Sequence, residues 1–222
     1  MSISRILSRP YPPESLSSMS GMTSPDTFIP ADDLLHWIYA AYVDVSGPLY
    51  NLEHAHLASA RIGLLWTNSD NVKAGKRVLG QAEMPGKGGG NKWSKARSEQ
   101  QLREWFGLVP DFLITIDAAH ASECSDREFC FLIEHELRHC AQAVDEFGEL
   151  KFSRDTGEPV FALKVHDIEI FINDVARYGA EAAGEEVVDL IIAAAQVYSV
   201  SDTQIAQACG RKIVMAKKQV SR

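Results

Sequence analysis

The chain has few cysteines, and none has the spacing of a metal ribbon or a redox motif. No Cys-x-x-Cys pair occurs among the four: Cys124, Cys130, Cys140 and Cys209. In a chain of 222 residues we expect free thiols in a reducing compartment rather than a disulfide framework. No run is long and apolar enough to span a bilayer, so no membrane association is expected.

An excess of positive charge is also absent. The formal net charge of −8 argues against a protein whose whole surface binds nucleic acid. The glycine-rich tract 85–90 lacks the Gly-Lys-Ser/Thr ending of a phosphate loop and precedes no helix cap. With 45% hydrophobic residues, the chain can bury a core, and its length predicts one main domain.

Composition divides the chain into three parts. Residues 1–28 are rich in Ser, Pro and Met, and they are predicted to form a disordered N-terminal tail. This tail lacks the apolar centre of a secretory signal, so we expect a cytoplasmic protein. Residues 29–180 are the predicted main domain, and residues 181–222 are a predicted helical extension.

Hydrophobic periodicity predicts a mixture of helices and short strands. The predicted helices cover 30–45, 94–106, 165–178 and 183–199, and the predicted strands cover 61–66, 77–83 and 111–117. A hairpin is expected between 149–153 and 159–163. In the helix 183–199, the residues Val187, Leu190, Ile191, Ala194 and Val197 are expected to face inward. His54 and His56 fall on different faces of a short helix and are expected at the surface.

A His-Glu-x-x-His motif lies in a segment with helical periodicity. Residues four apart lie one turn apart on the same helix face, so His135 and His139 can bind one metal ion. Glu136 stands beside them and can accept a proton from a water molecule in an open coordination position. Neutral nitrogen ligands, an open position and an adjacent base are typical of zinc hydrolysis sites.

The residues around the motif predict a helix that packs on a core. Ser125 and Glu128 form a Ser-x-x-Glu capping box, which indicates where the helix begins. Apolar residues then recur at helical spacing and should be buried: Phe129, Ile133, Leu137 and Cys140. The motif falls on the flank of this stripe, and Gly148 is expected to end the helix.

A catalytic zinc needs a third protein ligand, because a water molecule takes the fourth position. His166 is the preferred candidate, since the predicted hairpin before it can turn the chain back over the site. Asp167 and Glu169 are alternatives, because carboxylates also bind zinc. With His166 as the ligand, Asp167 can accept a proton from a ligand imidazole, or it can supply negative charge at a helix N-terminus.

Three features together resemble the putative phage metallopeptidase family, which is similar to the SprT-like zinc proteases. They are the strand 112–117, the motif 135–139 and the segment 166–171. In SprT-like proteins a third histidine, with a phenylalanine shortly after it, opens a helix beyond the His-Glu-x-x-His helix. His166 and Phe171 match this plan, and the resemblance covers roughly residues 30–180.

The resemblance implies a zincin-like α+β fold, with a small mixed β-sheet packed on the active-site helix and additional C-terminal helices. It makes His135, His139 and His166 the ligands of Zn²⁺ and Glu136 the general base of a peptidase that acts on proteins or peptides. It also implies a phage- or prophage-encoded protein in the cytoplasm of a bacterial host. The chain departs from SprT-like proteins in its longer gap before the third histidine and in lacking a Cys-rich zinc ribbon.

Two parts of the mechanism stay open. The donor to the developing oxyanion is not assigned; the candidates are Arg138, Tyr178 and His120, and Arg138 is the weakest because it faces away from the ligands. An extended substrate is expected to pair with an edge of the sheet at the strand 112–117.

The alternative function is a non-catalytic zinc-binding or DNA-associated accessory protein. Residues 201–212 contain the Ala-x-x-x-Gly step of a helix-turn-helix, and basic residues follow it: Lys212, Lys217, Lys218 and Arg222. The second helix of this unit is short and lacks the expected apolar residue after Gly210. DNA contact through 201–222 is therefore the weaker expectation, beside a tail that packs on the core or on a partner. Against a purely structural metal stands Glu136, which such a site does not need.

Overall fold

A computed structural model describes residues 7–16, 25–86, 91–168 and 172–211. The strands are β1 (Phe28–Pro30), β2 (Ile62–Thr67), β3 (Val72–Lys73), β4 (Lys76–Arg77), β5 (Gly80–Glu83), β6 (Phe112–Asp117), β7 (Cys140–Gln142) and β8 (Phe161–Leu163). The helices are α1 (Asp32–Ile38), α2 (Lys92–Phe106), α3 (Ala118–Glu123), α4 (Asp126–His139), α5 (Ile172–Tyr178), α6 (Ala180–Ala183), α7 (Glu185–Ala195) and α8 (Asp202–Cys209). Short 3-10 helices cover Glu14–Leu16 and Leu52–Ser59, and a π-helical turn covers Tyr39–Val43.

The main sheet is small and mixed, which confirms the predicted α+β fold class. Its strand order is β1-β2-β6-β5. The central pair β2 and β6 is parallel, and α2 lies in the connection between them. The outer strands β1 and β5 run antiparallel to their neighbours. The predicted substrate edge at 112–117 is therefore wrong, because β6 is paired on both sides and β5 is the edge strand on that side.

Helix α4 forms the other layer of the core, as its sequence predicts. The Ser125–Glu128 capping box is present, with both of its reciprocal hydrogen bonds. The four residues of the apolar stripe are at most 1% exposed. Phe129 packs between the rings of Trp37 and Trp66, whose centroids lie 5.5 and 6.4 Å away. Burying a ring of this size contributes several kcal/mol, roughly 3–5 by the cost of its removal, so this contact fixes α4 on the sheet.

The predicted end of this helix at Gly148 is wrong, because α4 ends at His139. Cys140 leaves the helical conformation and begins β7, which pairs with β8. Gly148 has a φ of +83° and lies in a turn farther along the chain. The strand pairing of 140–142 with 161–163 overrides the local tendency to continue the helix.

The hairpin predicted from 149 to 163 is only partly present. A single bridge joins Phe152 to Pro159, and Gly157 adopts a φ of +72° in the turn between them. A second bridge joins Val144 to Leu150. The residues 140–163 thus form a small meander, which returns the chain from the end of α4 to its flank.

The prediction of a disordered tail over 1–28 is wrong for the described residues 7–16 and 25–28. Arg9 is 4% exposed, and its guanidinium donates to the Ala121 and Cys124 carbonyls and to the Asp126 carboxylate. The Arg9 guanidinium also lies over the Phe129 ring, 4.1 Å from the centroid. These partners bond both terminal nitrogens of the buried guanidinium, while Arg9 Nε is buried without a described partner, and composition alone reveals neither.

The C-terminal helices differ in how they pack. In α8, Ile205, Ala208 and Cys209 join the main core, and the Trp37 indole donates to the Ala208 carbonyl over 2.7 Å. Residues 212–222, which include the four basic residues of the predicted DNA-contacting tail, lie outside the described residues. Both the DNA contact and the boundary at 181 stay predictions. No helix in the described ranges is long and apolar enough to cross a membrane.

The inward face predicted for 183–199 is wrong in part. Val187 is buried as expected. Leu190 and Ile191 are about half exposed, and Val197 is 96% exposed and lies after the end of α7. Val187 is the buried residue of α7, and periodicity does not show whether a partner surface covers the rest of the apolar face.

Candidate metal centre

Three imidazoles converge beside the end of α4. His135 and His139 project from successive turns of the helix, and their ring centroids are 4.9 Å apart. The His166 ring lies 5.0 Å from the first ring and 4.7 Å from the second. One nitrogen from each of the three rings lies within 4.8 Å of the other two. The structure thus brings together the three residues that the sequence predicts as ligands.

The meander 140–163 brings His166 to the helix. The chain passes from α4 through β7, returns along β8 and reaches Lys164, whose backbone N–H donates to the His139 carbonyl over 3.0 Å. Two residues later, His166 Nε2 lies 3.1 Å from His135 Nε2. His166 stands in the loop after β8, and the helix predicted to open near it is described from Ile172 onward. The alternative ligand Glu169 lies outside the described residues.

A backbone carbonyl fixes the orientation of His139. The Lys164 carbonyl oxygen lies 2.6 Å from His139 Nδ1. Because a carbonyl can only accept, Nδ1 carries the proton and Nε2 is left with its lone pair. Such a partner orients a ligating imidazole and raises its basicity. A carbonyl contact across 25 residues leaves no signal in the sequence, and this partner was missed.

Asp167 is predicted to accept a proton from a ligand imidazole, and no described contact supports this role. Its exposed carboxylate pairs with Lys164 Nζ at 3.0 Å, and this ammonium group lowers the pKa of Asp167. Within the described ranges it has no hydrogen bond to any of the three imidazoles. The short spacing from Lys164 to Asp167 favours this local ion pair.

Glu136 lies on the buried side of α4, against the edge strand β5. The carboxyl group accepts a hydrogen bond from the Ala82 backbone N–H, while its Oε2 atom is buried without a described partner. A Cβ at Gly80 would lie only 2.6 Å from Glu136 Oε1, so glycine is needed there for space. Burial raises the pKa of Glu136 to about 7, against the opposing effects of His139 and the Ala82 amide. A carboxyl group with this pKa can both accept and return a proton near neutral pH.

An open cleft of about 980 Å³ contains the three histidines and Glu136. One wall is formed by β5 and the β3–β4 hairpin, and the other by the residues from Leu163 to His166. The backbone groups on the outer side of β5 are not paired with another described strand. The cleft thus combines a candidate metal centre, a carboxyl group of raised pKa and a free strand edge.

The donor set fits a divalent metal that prefers nitrogen ligands. Three imidazoles supply three neutral nitrogens, the number that catalytic zinc sites use. Burial, followed by the proximity of His139 and His166, lowers the pKa of His135 and keeps its ring neutral, as metal binding requires. Because no fourth side chain joins the cluster among the described residues, a position is left open for water or substrate.

Two further histidines, His54 and His56, contact α4 or the residue directly after it. His54 is 1% exposed, so its predicted surface position is wrong; its Nε2 lies 3.7 Å from the Glu134 carboxylate. His56 donates from Nε2 to the Cys140 carbonyl over 2.7 Å, just past the end of α4. Arg138 pairs with Glu53 and turns away from the cluster, as helix geometry predicts. The 3-10 helix Leu52–Ser59 thus contacts α4 through these side chains.

The oxyanion donor is not identified by these contacts. Tyr178 is 67% exposed, and the described hydrogen bonds include none from Tyr178 or from the His120 ring to the cluster. The Asp117 carboxylate caps α3 by accepting a hydrogen bond from the His120 backbone N–H. The assignment between these candidates stays a prediction.

Comparison with known proteins places this centre in a family. The model of the family described as putative phage metallopeptidase matches residues 35–196, which include the three histidines and Glu136. No curated protein and no solved structure matches the chain. The match extends over well more than half of the sequence, from α1 past α7. The chain therefore belongs to the putative phage metallopeptidase family.

Proposed function

We propose that the protein is a zinc-dependent metallopeptidase that hydrolyses peptide bonds in a protein or peptide substrate, in the cytoplasm of a bacterial host. The observation that carries this proposal is the convergence of three imidazole nitrogens within 4.8 Å, in a cleft that also holds a buried carboxyl group. Family membership supports a metal-dependent peptidase. Nitrogen ligands and an open position favour zinc among divalent metals.

His135, His139 and His166 would hold the metal, each through a ring nitrogen. When bound there, zinc supplies a Lewis acid that polarises a carbonyl and lowers the pKa of a water molecule. The Lys164 carbonyl holds the His139 ring in the tautomer whose Nε2 lone pair is available to the metal. The other two rings stand on α4 and on the loop after β8, which the meander holds together.

Glu136 is the proposed general base. Its pKa of about 7 lets the ionised form accept a proton from the attacking water and then deliver it to the leaving amine. The Ala82 N–H holds the carboxyl group in the cleft wall. Apart from the Ala82 N–H, the outer edge of β5 is not paired with another described strand, so an extended substrate can add to the sheet there.

Glu136→Gln tests this proposal. The variant should retain about one zinc per chain yet lose casein hydrolysis by at least ~100-fold, the usual contribution of a general base. Glu123→Gln, on the exposed end of α3, is the matched control and should keep wild-type activity. His166→Ala should lose both zinc and activity. Full hydrolysis by Glu136→Gln, or wild-type protein without stoichiometric zinc, would contradict the proposal.

A further inference from the structure

One end of the cleft is basic although the molecule is acidic. The net charge of the chain is −8. Among the described residues that line the cleft, the ammonium groups are those of Lys73 and Lys164, and the carboxyl group is that of Glu136. An unpaired positive charge in a cleft wall attracts ligands of the opposite sign. The lining therefore differs in charge from the surface as a whole.

The β3–β4 hairpin holds Lys73 at this end of the cleft. The two strands are joined by a tight turn at Ala74 and Gly75, both with positive φ, of 50° and 76°. The hairpin is tied to β5 by a hydrogen bond of 3.3 Å from Asn71 Nδ2 to Gln81 Oε1. Lys73 thus stands beside the strand edge that borders the candidate metal centre.

Two neighbouring cations, Arg77 and Lys164, already have carboxylate partners. Arg77 pairs with Asp70 and Asp117 at 3.3 and 2.8 Å. Lys164 pairs with Asp167. Lys73 has no ion pair with any residue that the structure describes, and its side chain is exposed. The Lys73 ammonium is thus the cation in the cleft wall that remains available to a ligand.

We propose that the cleft selects peptides with an aspartate or glutamate side chain near the scissile bond and that Lys73 binds this carboxylate. The inference rests on the proposed peptidase function, and it adds a substrate class to it. A peptide added along β5 passes the hairpin, so one of its side chains comes within reach of the ammonium group. The lysine acts on substrate choice, and the chemistry stays with Glu136 and the metal centre.

Lys76 provides a matched control for this proposal. It faces Lys73 across the hairpin and carries the same charge, but it does not line the cleft. Replacing either lysine by glutamine removes one charge from the hairpin and, unlike glutamate, places no carboxylate opposite the remaining ammonium group. Only a direct contact with the substrate can make the two variants differ in peptide preference.

The test uses fluorogenic peptides of one sequence, with glutamate or glutamine placed in turn at each of three positions on either side of the scissile bond. Zinc-loaded wild-type protein should cleave the best glutamate peptide with a kcat/KM about fivefold above its glutamine twin, mainly through KM, and the ratio should fall with added salt. In Lys73→Gln the preference should disappear. In Lys76→Gln it should remain. Binding of the same peptides to zinc-loaded Glu136→Gln, followed by fluorescence anisotropy, should show the same ratios without turnover.

The two readouts separate this inference from the proposed function. Charge-selective binding that depends on Lys73, without cleavage by the wild type, overturns the peptidase proposal and supports the substrate inference. Cleavage without a glutamate preference, or equal effects of both lysine variants, overturns the inference and leaves the peptidase intact. Neither binding nor cleavage of any peptide overturns both. Displacement of bound peptide by a single-stranded oligonucleotide that itself binds through Lys73 overturns the substrate inference alone.

Discussion

The buried carboxyl group of Glu136 should make the metal-free protein less stable as the pH rises. Its pKa is raised from 4.5 to about 7 in the folded protein, mainly by burial against β5. In the unfolded chain the group is solvated and keeps its ordinary pKa. Because the folded state binds the proton more tightly, the stabilisation is fully present below pH 4.5 and is lost as the pH rises through about 7.

The size of this pH effect on stability follows from the shift in the pKa of Glu136. A difference of about 2.5 pH units at about 1.4 kcal/mol per unit corresponds to roughly 3 kcal/mol. Glu136→Gln removes this titration, since an amide has no proton to lose in this range. The variant should therefore be more stable than the wild type at pH 8, and the difference between them should shrink by about 3 kcal/mol on going to pH 4.

Urea unfolding of the chelator-treated proteins at several pH values measures this difference. Comparing the two proteins at each pH cancels the titration of the histidines. Glu134→Gln on the same helix is the control, with the opposite sign: burial raises the pKa of Glu134, but the nearby His54 ring and the hydrogen bond from Asn51 outweigh burial and lower it. Parallel stability curves for the wild type and Glu136→Gln between pH 4 and 8 would refute the assignment of a raised pKa.

Three further predictions concern the frame of the site. Phe129→Ala should cost ~3–5 kcal/mol in urea unfolding, while the same change at the 72% exposed Phe131 should cost less than ~0.5 kcal/mol. Arg9→Ala should cost roughly 1–3 kcal/mol, because the buried Asp126 carboxylate loses its buried guanidinium and keeps only the exposed Arg211 as an ion-pair partner; an unchanged midpoint would mean that the N-terminal segment contributes nothing. Gly80→Ala should lower kcat ~10- to 100-fold at full zinc content, because the new Cβ displaces the Glu136 carboxyl group; wild-type kcat would contradict the packing against β5.

The local features of α4 could be read from the sequence. A capping box, an apolar stripe and a pair of histidines one turn apart all depend on residues within a few positions of each other. The same holds for the strand β6, whose apolar run is bounded by polar residues. Such patterns are set by backbone geometry and survive in any fold that buries the apolar face.

The end of α4 could not be predicted from local sequence patterns of this kind. The chain leaves the helix at His139 because 140–142 pair with 161–163, and the sequence shows no helix breaker there. Pairing over about twenty residues depends on where the meander turns, which local propensity leaves open. The same limit applies to Arg9, whose partners on α3 and α4 lie more than a hundred positions away.

The sequence by itself determined the chemistry available to this protein: two imidazoles and a carboxyl group on one helix, and a third histidine able to join them. Only the tertiary structure decided that His166 meets the other two rings, that β5 rather than β6 borders the cleft, and that the Lys164 carbonyl orients His139. It also decided that Glu136 is buried, which sets the pKa of the carboxyl group. The physical reason is that spacing along a helix fixes neighbours one turn apart, whereas burial and contacts between distant segments depend on how the strands pair.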